Sequence, residues 1–116
     1  MPSRRQEHAR KHRRIEVRFV PEGGGALNRH AQIGYTGNLS LTGMMIRTPR
    51  VLPPGTVLSI ELRCPERTLT VTGRVIWARQ GPMEWVSTGR VGMGVTFVDP
   101  PPELAEIIEG RKVASA

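Results

Sequence analysis

Leu69, Val71, Val75 and Trp77 occupy every second position of one run, and Gly73 fills the remaining place on the same side. A period of two marks an extended chain with one apolar face, because successive side chains of a strand leave opposite sides of the backbone. A glycine on that face predicts a bulge or sharp bend, as at a barrel corner. The same period recurs in Ile15, Val17 and Phe19, in Leu58, Ile60 and Leu62, and in Val91, Met93, Val95 and Phe97. Residues 31–36 and the run Met44, Met45, Ile46, closed by Pro49, read as two further strands. Only one helix is expected. Pro102 suits its first position, where a missing N–H costs nothing. Leu104, Ile107 and Ile108 then form one stripe, and Gly110 is a natural stop. Short strands separated by Gly- and Pro-rich turns, then one helix, predict a mainly β protein. The expected form is a small six-stranded antiparallel β-barrel with a short C-terminal helix, over residues 14–112.

What precedes the barrel differs in kind. Residues 1–13 carry no apolar periodicity and read as a flexible arm, and residues 113–116 read as a tail. Arg4, Arg5, Arg10, Lys11, Arg13, Arg14 and Arg18 are opposed only by Glu7 and Glu16, so five of the seven net positive charges lie in the first 18 residues. A basic arm on a nearly neutral body suits an anionic partner, although a solvated tail has the same composition. No apolar run approaches the roughly 18 residues needed to span a bilayer. No apolar stretch follows the basic N-terminus either, so a signal peptide is not expected and a soluble cytoplasmic protein is.

The residues offer little to catalysis or to a metal. A single cysteine, Cys64, excludes an internal disulfide and a Cys-based zinc site. His8 and His12 are four apart but have no third ligand nearby, so no metal is expected. Asp99 is the only aspartate, and it leads into three prolines. Neither a Ser-His-Asp set nor a phosphate-binding Gly-rich loop ending in Lys-Ser or Lys-Thr is present. The chain is expected to be neither an enzyme nor a cofactor protein.

Binding chemistry is better represented. Arg10 and Arg14 stand four apart just ahead of the first strand. A guanidinium is planar, permanently charged and forked, so it pairs bidentately with a phosphate or with the O6/N7 edge of guanine. Residues 38–43 read Asn-Leu-Ser-Leu-Thr-Gly. The Asn38 amide donates and accepts, the Ser40 hydroxyl can serve a ring nitrogen or a phosphate, and Gly43 permits close backbone approach. Such residues also cluster in ordinary turns, where they satisfy their own backbone.

Taken with their order, these segments resemble the PilZ family. The Arg-x-x-x-Arg pair precedes a strand, and the Asn-x-Ser-x-x-Gly segment precedes another. Gly73-Arg-Val-Ile-Trp77, Gly92-Met-Gly-Val-Thr-Phe97 and the final helix then follow in place. The resemblance implies a noncatalytic receptor for the bacterial second messenger cyclic di-GMP. It assigns Arg10 and Arg14 to the guanine bases and phosphates, and Asn38, Ser40 and Gly43 to a cradle on the barrel surface. It further implies an arm that folds onto the barrel when ligand bridges both segments, and an effector protein that reads the changed surface. Motility, attachment and exopolysaccharide control all fit such an effector. Ala9 stands where family members that hold an intercalated ligand dimer often carry another arginine. That leaves stoichiometry open, with a lean toward one bound molecule.

Further contacts are weighed with their alternatives. Arg13 either meets a phosphate or faces solvent. Trp77, beside Arg79 at the end of the longest run, either stacks on a guanine or caps the barrel core, and its place on the apolar face favours the core. Trp85 is a lid or a surface anchor. Two other functions compete with the receptor. One is a small basic barrel that binds RNA or DNA, disfavoured because most of the few aromatic residues are expected inside. The other is an adaptor that has stopped binding nucleotide.

Overall fold

The computed structural model describes residues 14–22 and 30–109. Arg10, Arg13, His8, His12, the arm, the glycine run at 23–25 and the Gly110 stop lie outside the described residues. Six strands form: β1 (Glu16–Pro21), β2 (Gln32–Gly37), β3 (Gly43–Arg47), β4 (Val57–Arg63), β5 (Thr68–Arg79) and β6 (Gly92–Val98). Among the described residues one helix follows, α1 (Glu103–Glu109), and one 3-10 turn, Met83–Trp85, lies between β5 and β6. Every pairing is antiparallel, and the order β1-β2-β3-β6-β5-β4 closes into a barrel as β4 returns to β1. Among the described strands, closure leaves no free sheet edge for another chain to extend.

The alternating residues point inward as the sequence predicts. Val17, Phe19, Leu58, Ile60 and Leu62 are completely buried, together with Ile46, Met93 and Leu104. Burying each such side chain stabilises the fold by about 1.5–3 kcal/mol relative to exposure. The apolar stripe of α1 joins the same core, with Leu104 buried and Leu39, Ile107 and Ile108 packed against the cluster that includes Ile15. The helix is further tied to the β4–β5 connection, where Arg67 Nη1 donates to Glu106 Oε1 at 3.1 Å. Pro102 stands immediately before α1, and its carbonyl accepts the Ala105 N–H at 3.2 Å.

Two expectations require correction. The bulge does not fall at Gly73, which pairs regularly with Leu58 and Phe97. It falls three residues later: Val75 pairs with Val95 and Trp77 with Gly94, so Ile76 is the extra residue. One inserted residue reverses which side of the sheet every later side chain takes. Trp77 therefore does not cap the core. It leaves the barrel on the outer side, 39% exposed, next to Ile76. The aromatic residues are not consumed inside either. Phe19 and Phe97 are buried, whereas Tyr35, Trp77 and Trp85 are exposed.

Candidate functional site

The β2–β3 turn is a compact, self-bonded structure. Asn38 opens it with φ of +53°, a left-handed conformation that Asn tolerates better than most residues. Leu39 drops back against the core and anchors the turn from below. The Ser40 hydroxyl then organises the rest. It accepts the N–H groups of Thr42 at 3.2 Å and Gly43 at 3.4 Å, and donates to the Gly43 carbonyl at 3.2 Å. The Ser40 N–H reaches the same carbonyl at 2.9 Å. With its proton committed to Gly43, the hydroxyl accepts from Thr42 Oγ1 at 3.2 Å. Ser40 is thus a turn-former here, and its exposed oxygen stays at the surface.

Gly43 is required by the barrel itself. A Cβ at this position would run into the Val95 carbonyl oxygen and lie 3.2 Å from Thr96 Cα, both backbone atoms that cannot step aside. The close approach lets Thr42 bond β6 as well, its carbonyl accepting Phe97 N–H at 2.8 Å and Thr96 Oγ1 at 3.2 Å. The turn is therefore pinned to the wall.

Beside the turn lies a row of outward positions across four strands: Gly37 on β2, Met45 on β3, Gly94 on β6 and Trp77 on β5, each paired with the next. Two of the four have no side chain. Gly94 leaves room for the Trp77 indole to lie flat on the strand, since a Cβ there would collide with the indole nitrogen. Asn38, Ser40, Gly43, Met45, Trp77 and Gly94 line one shallow concavity of about 270 Å³ with the outer faces of β3 and β6.

Cationic groups flank this floor. Arg14, the second arginine of the pair, is held at the end of β2. The Thr36 N–H donates to the Ile15 carbonyl at 3.0 Å, and the Ile15 N–H donates to Thr36 Oγ1 at 3.2 Å. The Arg14 Cζ lies 5.3 Å from the centroid of the Tyr35 ring. On the opposite flank Arg79 Cζ is 5.8 Å from the Trp77 ring, and farther along Arg90 Cζ is 5.9 Å from the Trp85 ring. Arg47, outward on β3, lies along Gly37, with Nη1 donating to the Ser87 carbonyl at 3.3 Å. Its Nε is buried without a hydrogen-bond partner.

Of the residues singled out by sequence, Asn38, Ser40, Gly43 and Trp77 meet at one concavity, with Arg79 over the Trp77 ring and Arg14 over the ring of Tyr35 on neighbouring β2. Arg10 and Arg13 lie outside the described residues. Tyr35, Met45, Arg47 and Gly94 were not anticipated. The one legible signal was Gly94, a glycine amid apolar neighbours in a strand, which marks close approach of another group. Among the described residues there is no group of three His, Cys, Asp or Glu side chains able to hold a metal. No helix among them is long and apolar enough to cross a membrane.

What the arrangement can do is bind. It offers a flat apolar floor, an indole face, an amide, a hydroxyl and guanidinium forks, the complement of a purine ring attached to phosphate. A family model, that of the PilZ domain, matches residues 4–110 of the chain. Comparison with the curated proteins finds no match.

Proposed function

This chain belongs to the PilZ domain family, a known cyclic di-GMP-binding family whose members are generally noncatalytic receptors and adaptors, and from that premise we propose that it is a cyclic di-GMP receptor. In this reading the ligand lies on the outer wall of β2, β3, β6 and β5. Asn38 meets the edge of one guanine, and the Ser40 hydroxyl and the turn backbone meet a phosphate or ring nitrogen. Gly43 keeps the turn low enough for the approach. Trp77 stacks on a base, Arg79 backs the indole, and Arg10 and Arg14 close over the bases and phosphates, with Arg13 available to a phosphate. A downstream protein then reads the altered wall. The observation that carries this reading is the placement of Trp77: the bulge at Ile76 brings an exposed indole onto the floor lined by Asn38, Ser40 and Gly43.

The energetics are consistent. Micromolar binding requires about −8 kcal/mol. Ordering a segment on binding costs about 2–5 kcal/mol, so one arginine contact is not enough and several must act together. Calorimetric titration of cyclic di-GMP tests this. The wild type is expected to bind in the micromolar range, and Arg10→Ala, Arg14→Ala and Ser40→Ala each to bind at least about tenfold more weakly, the scale of a lost charge-assisted or buried hydrogen bond. Absence of binding by the wild type at tens of micromolar removes the receptor and leaves the adaptor.

One observation favours a second reading. Tyr35, Trp77 and Trp85 are exposed and each has an arginine over its ring. Aromatic platforms with cations between them also suit a single nucleic-acid strand. An oligonucleotide complex that weakens steeply with salt and survives excess cyclic di-GMP supports that reading; displacement by the dinucleotide supports the receptor.

A further inference from the structure

We propose that Tyr35 is a positioning residue for Arg14: its ring is a berth that holds the guanidinium at the border of the candidate site before ligand arrives. This rests on the receptor reading for its purpose, but not for its geometry.

Tyr35 sits in the middle of the outer face of the β1-β2-β3 sheet, paired with Glu16 on one side and Arg47 on the other. Side chains directly opposite on one face ordinarily interact, so a cation over Tyr35 would be expected to turn to Glu16, and Arg47 would be expected to cover the ring. Neither happens. The Glu16 carboxylate is taken by Arg18, whose Nε donates to Oε2 at 3.1 Å. Arg47 leans the other way, along the bare backbone of Gly37 toward Ser87. The ring is left clear, and Arg14 occupies it at 5.3 Å. Among the described residues Arg14 forms no ion pair and no hydrogen bond. Its position comes from the ring and from the Ile15–Thr36 backbone bonds. A cation–π contact engages the guanidinium through its charge and leaves its N–H groups without an acceptor on the ring, so a phosphate or a guanine edge can take them in pairs. Asn38, the first residue of the polar turn, follows three residues after Tyr35, just past the end of β2.

The ring face, rather than the phenol hydroxyl, is what matters to a cation, so Phe should replace Tyr35 and an aliphatic residue should not. Two measurements test the berth. In ligand-free protein, proton NMR of the Arg14 δ-methylene should show upfield ring-current shifts that persist in Tyr35→Phe and vanish in Tyr35→Leu. In titrations with cyclic di-GMP, Tyr35→Leu should bind about two- to fivefold more weakly, the scale of an exposed cation–π contact, with Tyr35→Phe within twofold of wild type. In the Arg14→Ala background, Tyr35→Leu should have no further effect, a coupling that a merely structural role would not produce. Unshifted Arg14 methylene signals in the wild type overturn the berth, and that spectrum decides the matter even if Tyr35→Leu fails to fold. Wild-type affinity in Tyr35→Leu, or additive losses in the double variant, overturn the positioning role. No binding by the wild type overturns the receptor reading, and the methylene shifts still decide whether Tyr35 holds Arg14.

Discussion

The inner and outer sides of the same three strands are built on opposite rules. Inside β3, β5 and β6, the residues are Met44, Ile46, Val75, Met93 and Val95, all buried and mutually packed. No position on that side is empty except Gly73, whose missing Cβ is approached by Ile60 Cδ1 at 3.0 Å. Outside, large and absent side chains alternate, with Met45, Gly94 and Trp77 in a row that Gly37 continues onto β2. The inner pattern fills volume and gives stability. The outer pattern leaves backbone bare so that a methionine and an indole can lie flat, making an apolar floor at the surface with arginines at its margins. The indole of Trp77 packs one face on Gly94 and stays 39% exposed, which leaves surface on which a flat group can stack.

This contrast predicts that substitutions on the two sides separate stability from binding. Ile60→Ala, inside, should lower unfolding free energy by about 3 kcal/mol in denaturant melts, within the range for buried aliphatics, while the folded fraction binds cyclic di-GMP with wild-type affinity. Gly43→Ala joins the two sides, because its added methyl meets β6 backbone. About 2 kcal/mol of destabilisation is expected from such overpacking, together with loss of binding as the turn is lifted off the wall. Trp77→Ala, outside, should cost less stability than Ile60→Ala, because the indole is already 39% exposed, and weaken binding by about 1–2 kcal/mol in calorimetry, the value of a base–aromatic stack. A large stability loss in Trp77→Ala accompanied by unchanged affinity would break the distinction and return the indole to a structural role.

The strands and the helix were legible because their signal is local. Alternation in Leu58, Ile60 and Leu62, or the stripe of Leu104, Ile107 and Ile108, needs no knowledge of partners. The polar turn was legible for the same reason, since Asn, Ser and Gly at those spacings carry their own backbone requirements. The orientation of Trp77 was not. It depends on one extra residue at Ile76, which is a property of pairing between β5 and β6 and leaves no mark within β5 alone. Gly73 drew attention as the glycine in the strand, yet it pairs regularly. Tyr35 and Arg47 were equally invisible, because their roles depend on which cross-strand neighbours are already engaged: Glu16 with Arg18, and Arg47 with Ser87.

The central claim is that cyclic di-GMP settles on the outer wall between Arg14 and the turn at 38–43, and amide and indole NMR during titration addresses it most directly. The account predicts the largest shifts at Asn38–Gly43, Met45, Gly94 and the Trp77 indole N–H, with buried Ile60 and Leu62 nearly still. Shifts centred instead on the opposite end of the β2–β3 hairpin, around His30, Gln32 and Arg50, or no shifts at saturating dinucleotide, would contradict it.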